Sequence, residues 1–88
     1  MKGHVALVRE GGLRFAVVVV RPSVMSGVKR ERDEAVRALS EELGVPAVLM
    51  IRSSRGTPTF HGRDDLVRIL AGVCVEQLPW RELTLEAA

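Results

Sequence analysis

Phe15-Ala16-Val17-Val18-Val19-Val20 is the stretch that decides the fold of this 88-residue chain. Six successive apolar residues ending in four valines have no polar face, and the run is too short for an ordinary helix. They describe a strand covered on both sides, which belongs in the middle of a sheet. Just upstream, Leu13 and Phe15 flank Arg14, so the strand begins with one wet face and loses it from Ala16 onward. Arg21-Pro22 ends it, because proline has no N–H to give to a ladder.

The rest of the chain is read outward from there. Val5-Ala6-Leu7-Val8-Arg9 is a second strand, and Glu10-Gly11-Gly12 joins the two as a tight hairpin. Residues 23–27 are a connector. From about Val28 to Leu43, Val28, Ala35, Val36, Leu39 and Leu43 form one helical stripe with charges elsewhere, and Asp33 stands four residues before Arg37. Gly44 and Pro46 stop that helix. Residues 46–51 are another run apolar on both faces. Residues 52–56 are a turn, and 57–60 a short strand that Pro58 assigns to a sheet edge. A second helix begins near Asp64 with Leu66, Ile69, Leu70 and Val73 on its stripe, and ends between Gly72 and Gln77. Trp80 is expected to fold back as an anchor, with residues 82–85 a short strand or a tail.

The expected architecture is one α+β domain over residues 1–88, in the order ββαββα. The sheet is roughly four-stranded and largely antiparallel, with two helices on one face; a β-grasp-like arrangement is the alternative. A chain of this length buries roughly 60–65% of its unfolded surface, enough to fold alone with a thin margin.

Composition narrows the function classes. Hydrophobic residues make up 47% of the chain but aromatics only 3%, so the core must be aliphatic. Thirteen basic residues against 11 acidic ones leave a net charge of +2, too balanced to imply nucleic acid. Eleven of the basic residues are Arg and Asn is absent, a bias that a GC-rich genome or a hot habitat would both produce. The single Cys74 excludes an internal disulfide framework, and no apolar run approaches the ~20 residues of a membrane span. The start of the chain does not read as a signal peptide. A cytoplasmic location follows as the expectation.

The densest polar cluster is Arg52, Ser53, Ser54, Arg55 and Gly56, continued by His61 and Arg63. Arginines, hydroxyls and a glycine that permits close backbone approach suit a small anion or a phosphate-bearing ligand such as nucleic acid. A solvated turn followed by a helix start accounts for the same residues, with Asp64 and Asp65 already at the helix end an anion would want. Lys29, Arg30, Arg32 and Arg37 extend the basic set only if the fold aligns them, and Glu31, Asp33, Glu34, Glu41 and Glu42 interleave with them. His61 with Asp64 and Asp65 is too small a set to hold a metal, and no metal or cofactor is expected. Ser53, Ser54, Cys74 and His61 lack any nucleophile–base context, so no catalytic residue is assigned. Cys74 falls beside the apolar stripe and reads as a small buried hydrophobe.

Arg55-Gly56-Thr57-Pro58-Thr59-Phe60 is similar to the proline loop of thioredoxins over six residues, without the Cys-x-x-Cys that thioredoxin chemistry needs. The opening hairpin with Asp33-Glu34-Ala35 on a helix resembles a HicB-type antitoxin domain, which would place a third strand before that helix. Neither resemblance assigns a family. Counting faces gives the last expectation. Two helices on one face leave the other faces of 15–20 and 46–51 bare, so a homo-oligomer is expected, with Val18, Val20, Val48 and Trp80 in its interface. A binding or interaction module without enzymatic chemistry ranks first, an anion or nucleic-acid binder second, and a small hydrolase-type enzyme third.

Overall fold

The fold is that of a computed structural model, which describes residues 2–52 and 57–86. The elements are β1 (Lys2–Glu10), β2 (Leu13–Val19), α1 (Pro22–Met25), α2 (Lys29–Leu43), β3 (Ala47–Arg52), β4 (Pro58–His61), α3 (Asp64–Ala71), a 3-10 turn (Val75–Gln77) and β5 (Trp80–Thr84). The strands form one mixed sheet in the order β4-β3-β2-β1-β5. The valine run is therefore central, as its two apolar faces require.

Local chemistry accounts for the connections. Gly11 and Gly12 take φ of 56° and 79°, the left-handed pair that a two-residue hairpin demands, and Glu10 faces Leu13 across it. β2 and β3 run parallel, from Ala16 opposite Ala47 to Val19 opposite Met50. Parallel neighbours cannot be joined by a tight turn, so α1 and α2 carry the chain back. Ser40 fixes the return: its hydroxyl donates to the Val36 carbonyl at 2.6 Å and accepts from the Ala47 N–H at 2.9 Å. Pro58 is the first residue of an edge strand, a position where a residue without an N–H is tolerated.

The sheet divides the core in two. Phe15, Val17, Val48 and Met50 pack with Leu66 and Leu70 of α3 and with Val75. Ala16, Val18, Ala47 and Leu49 pack with Leu39 of α2 and with Leu85. Odd and even residues of β2 thus feed different layers, and the helices lie on opposite faces. Ala16 and Ala47 make the α2 side shallow, whereas Phe15 and Met50 fill the α3 side.

Several expectations are corrected here. The sheet has five strands rather than four, because Trp80–Thr84 pairs antiparallel with β1 from Ala6–Trp80 to Lys2–Thr84. The sheet is mixed, with one parallel pairing, and the order is not ββαββα. The helices share no face, so neither the one-sided layer nor the β-grasp alternative describes the fold. The connector at 23–27 holds the short helix α1, where a HicB-type pattern would have a strand. Val28 caps α2 instead of joining its stripe and is 64% exposed. Val18 and Val48 are fully buried, on opposite faces, and so cannot form one interface. Val20 packs against the α2 layer and Trp80 against the α3 layer. The uncovered face that motivated self-association is covered by the chain itself.

Candidate functional site

The polar segment at 52–63 does not converge in its described part. Arg52 pairs with Pro58 at one end of the β3–β4 hairpin and Leu49 with His61 at the other. Three residues of strand, about 10 Å, therefore lie between Arg52 and the His61 end, with Arg63 beyond it. Ser53, Ser54, Arg55 and Gly56 lie outside the described residues.

At the His61 end, the start of α2 and the β4–α3 corner enclose an open groove of about 550 Å³ that includes Lys29, Arg32, Asp33, His61, Arg63 and Asp64. The fold does bring helix and hairpin cations together, but their charges meet acids. His61 Nε2 donates to Asp33 Oδ1 at 2.8 Å, linking β4 to α2 across 28 residues of chain. Arg63 grips Asp65 through both oxygens, at 2.8 and 3.2 Å. That grip, with backbone N–H groups of Leu66 and Asp65, holds the Asp65 carboxyl below its ordinary value. A lowered carboxyl favours the fold above the ordinary aspartate range and loses the contribution as pH falls through the lowered value. Asp65 already supplies the negative charge that the start of α3 attracts. The groove is a braced corner more than a vacant anion cradle.

The His61–Asp33 contact is a local brace between a half-exposed carboxylate and an imidazole that is only 19% exposed. Asp33→Ala, which removes the exposed partner, is expected to change folding free energy by less than about 1 kcal/mol in urea titrations. A loss above 2 kcal/mol would show instead that α2 depends on this contact for its docking.

A better-formed cavity lies where β2 ends and β1 begins. It is half open, with a volume of about 430 Å³, and its apolar wall on the α2 face consists of Val20, Val24, Ala35 and Leu39, with Val19 at the strand end beside them. Lys2, His4, Arg21 and Ser23 also line it. Gly3 helps to keep this end of the sheet open. By strand alternation it falls on the α2 face with Val5, and a Cβ there would stand 2.8 Å from Leu85 Cδ1. The 4-residue α1 closes one side with Val24, and the first half of α2 provides Ala35 as a small residue over the space. The wall is thus apolar, as small-molecule sites largely are, with Arg21 and Ser23 following the strand end; the side chains of Lys2 and His4 alternate to the other face of β1, where Lys2 meets Glu82.

Cys74 is exposed, not part of the apolar stripe. It precedes the 3-10 turn, and its thiol donates to Glu76 Oε2 at 3.3 Å. That bond, the backbone N–H of Glu76 and the positive charge of Arg52 hold the Glu76 carboxyl below its ordinary value. Among the described residues, no three His, Cys, Asp or Glu side chains come together as metal ligands. No described helix is long and apolar enough to cross a membrane.

No protein-family model, curated protein or solved structure matches this chain. The case for a site therefore rests on geometry alone. Sequence reading passed over Lys2, His4, Arg21, Ser23 and Ala35 because they are scattered over 34 residues. One signal was present: Arg21-Pro22-Ser23 directly follows a doubly apolar strand, and polar residues there stand at its carboxyl end, where ligands of α/β sheets gather.

Proposed function

We propose that this chain is a binding domain, without chemistry of its own, that takes a small and largely apolar molecule into the cavity at the end of β2. The observation that carries this reading is the apolar wall of Val20, Val24, Ala35 and Leu39 on the α2 face, around a half-open cavity of about 430 Å³, within the ~300–1,000 Å³ range of ligand pockets. The hairpin groove supports an anion or nucleic-acid partner less well, because His61 and Arg63 are engaged by Asp33 and Asp65.

The domain acts as a single chain in this reading. Two helical layers cover the two faces of the sheet. Its edges resist strand addition: β4 contains Pro58, and β5 carries Arg81 and Glu82.

Titration of the isotope-labelled protein with 1-octanol, followed by amide chemical shifts, tests the cavity. Shifts are expected to concentrate at Val19, Val20, Val24, Ala35 and Leu39. Ala35→Phe, which places a ring in the space, should abolish them while the circular dichroism spectrum is unchanged. Saturating probe that moves no amide in this group, or moves residues scattered over the surface, would remove the reading.

A further inference from the structure

The end of β1 nearest its hairpin leaves a leucine in water. On that face of the sheet α2 covers β2 and β3, and Leu85 packs with Val5 farther back along β1. The helix stops at Gly44 and the chain re-enters the sheet through Val45 and Pro46, leaving Leu7 57% exposed. By strand alternation Leu7, Arg9 and Arg14 share this face with Val5 and Ala16, and Arg9 stands directly opposite Arg14. With Val45 they line a half-open cleft of about 300 Å³. Val8 and Phe15 border it through their backbone, because their side chains belong to the α3 layer. No carboxylate of the described residues lines it.

Like charges directly opposite one another destabilise a sheet. Among the described residues neither arginine has an ion pair to offset that cost, whereas Lys2, Arg30 and Arg63 each meet an acid. Arg81 of β5 stands opposite Val5, diagonal to Leu7, and brings a third guanidinium to the same face. We infer that this corner docks an acidic peptide segment of a partner protein. An apolar side chain of the segment lies against Leu7 and Val45, and flanking carboxylates meet Arg9, Arg14 and Arg81. The inference is independent of the cavity at the end of β2 and assigns a second surface.

Charge complementarity selects the occupant. Guanidinium groups hold carboxylates through paired N–H···O bonds, which an ammonium cannot form. A nucleic-acid backbone would engage the arginines but leave Leu7 and Val45 without a role. It would also find no stacking ring here, since Phe15, Phe60 and Trp80 all belong to the α3 layer. A second copy of this chain would bring the same positive corner against its own kind.

The isotope-labelled protein is titrated with the acetylated and amidated peptides EELEE, EESEE and KKLKK, and with a single-stranded thymidine oligonucleotide. EELEE is expected to shift the amides of Leu7, Arg9, Arg14 and Val45 and to leave those of Val24, Ala35 and Leu39 in place. Exchanging its leucine for serine should weaken binding roughly fivefold, as loss of a partly buried leucine would give, and KKLKK should not bind. Added salt should weaken EELEE, since the cleft is open to water. Arg9→Glu turns a cross-strand repulsion into an attraction, so its thermal stability should not fall while EELEE affinity drops about tenfold or more. Leu7→Ser, with an unaltered circular dichroism spectrum, should lower affinity several-fold. Equal binding of EELEE and EESEE would overturn the docking of an apolar side chain. Tighter binding of the oligonucleotide at the same amides would overturn the peptide as occupant. Undiminished binding by Arg9→Glu, or millimolar EELEE that moves no amide at this corner, would overturn the surface itself.

Discussion

Leu39→Ala and Leu70→Ala are each expected to remove about 2–5 kcal/mol of folding free energy, and the two losses should add. Both side chains are 1% exposed, one in the layer under α2 and the other in the layer under α3. Their cost combines lost burial with the cavity each leaves, and neither cavity can relax into the other because the sheet stands between them. Non-contacting sites add within about 0.3–0.5 kcal/mol. A domain of this length has a total stability of roughly 4–13 kcal/mol, so the double variant should be largely unfolded at room temperature. Denaturant titrations of both single variants and the double variant measure this, with Leu39→Val and Leu70→Val as milder companions if the double does not fold. A coupling above 1 kcal/mol would mean that the two leucines share one core, which the two-layer arrangement forbids.

Trp80→Ala should be nearly as costly, at about 3 kcal/mol, and should not change the mass of the particle in solution. The indole is partly buried, packs on the α3 layer, and donates from Nε1 to the Val75 carbonyl at 2.7 Å. It fastens the first residue of β5 to the 3-10 turn, and so holds the last strand against β1. The Val75 carbonyl also accepts from the Leu78 N–H at 3.2 Å. Removing only the indole N–H therefore leaves that carbonyl with a donor, and Trp80→Phe should cost only about 0.5–1.5 kcal/mol. Chemical denaturation by circular dichroism separates the two substitutions. Light scattering on the unaltered protein and on Trp80→Phe should return the 9.6 kDa of one chain in both cases. A dimer that dissociates on substitution would make Trp80 an intermolecular contact instead of an internal anchor.

Much of the fold was legible because it follows from short-range chemistry. The Gly11-Gly12 hairpin, the helix ending at Gly44, the edge strand with Pro58 and the helix opening with Asp64-Asp65 each depend on residues within a few positions of one another. β5 was harder to see. Four of its five residues are exposed, so Arg81 to Thr84 show no buried alternation, and the strand exists because β1 offers a free edge and Trp80 is anchored. The polar turn was conspicuous for the opposite reason. Arg, Ser and Gly crowd together in turns whether or not a ligand binds there. In the fold, His61 and Arg63 are taken up by carboxylates from α2 and from the start of α3, and the Asp33 that meets His61 is 28 positions away.

The sequence by itself determined that the run beginning at Phe15 is a strand with both faces covered, fully buried from Phe15 to Val18 and ending at Val19, since apolar side chains alternating across a sheet leave neither face fit for water. What covers those faces was a question of layer, which periodicity cannot answer. A stripe such as Leu39-Leu43 or Leu66-Leu70 states that a helix has an apolar side, and either side of a sheet satisfies it equally. Only the tertiary structure decided that α2 takes the even residues of β2 and α3 the odd ones. With that decision the apolar faces of β2 and β3 are covered within the chain, and Val20, at the end of the valine run, became part of a cavity wall shared with Val24, Ala35 and Leu39.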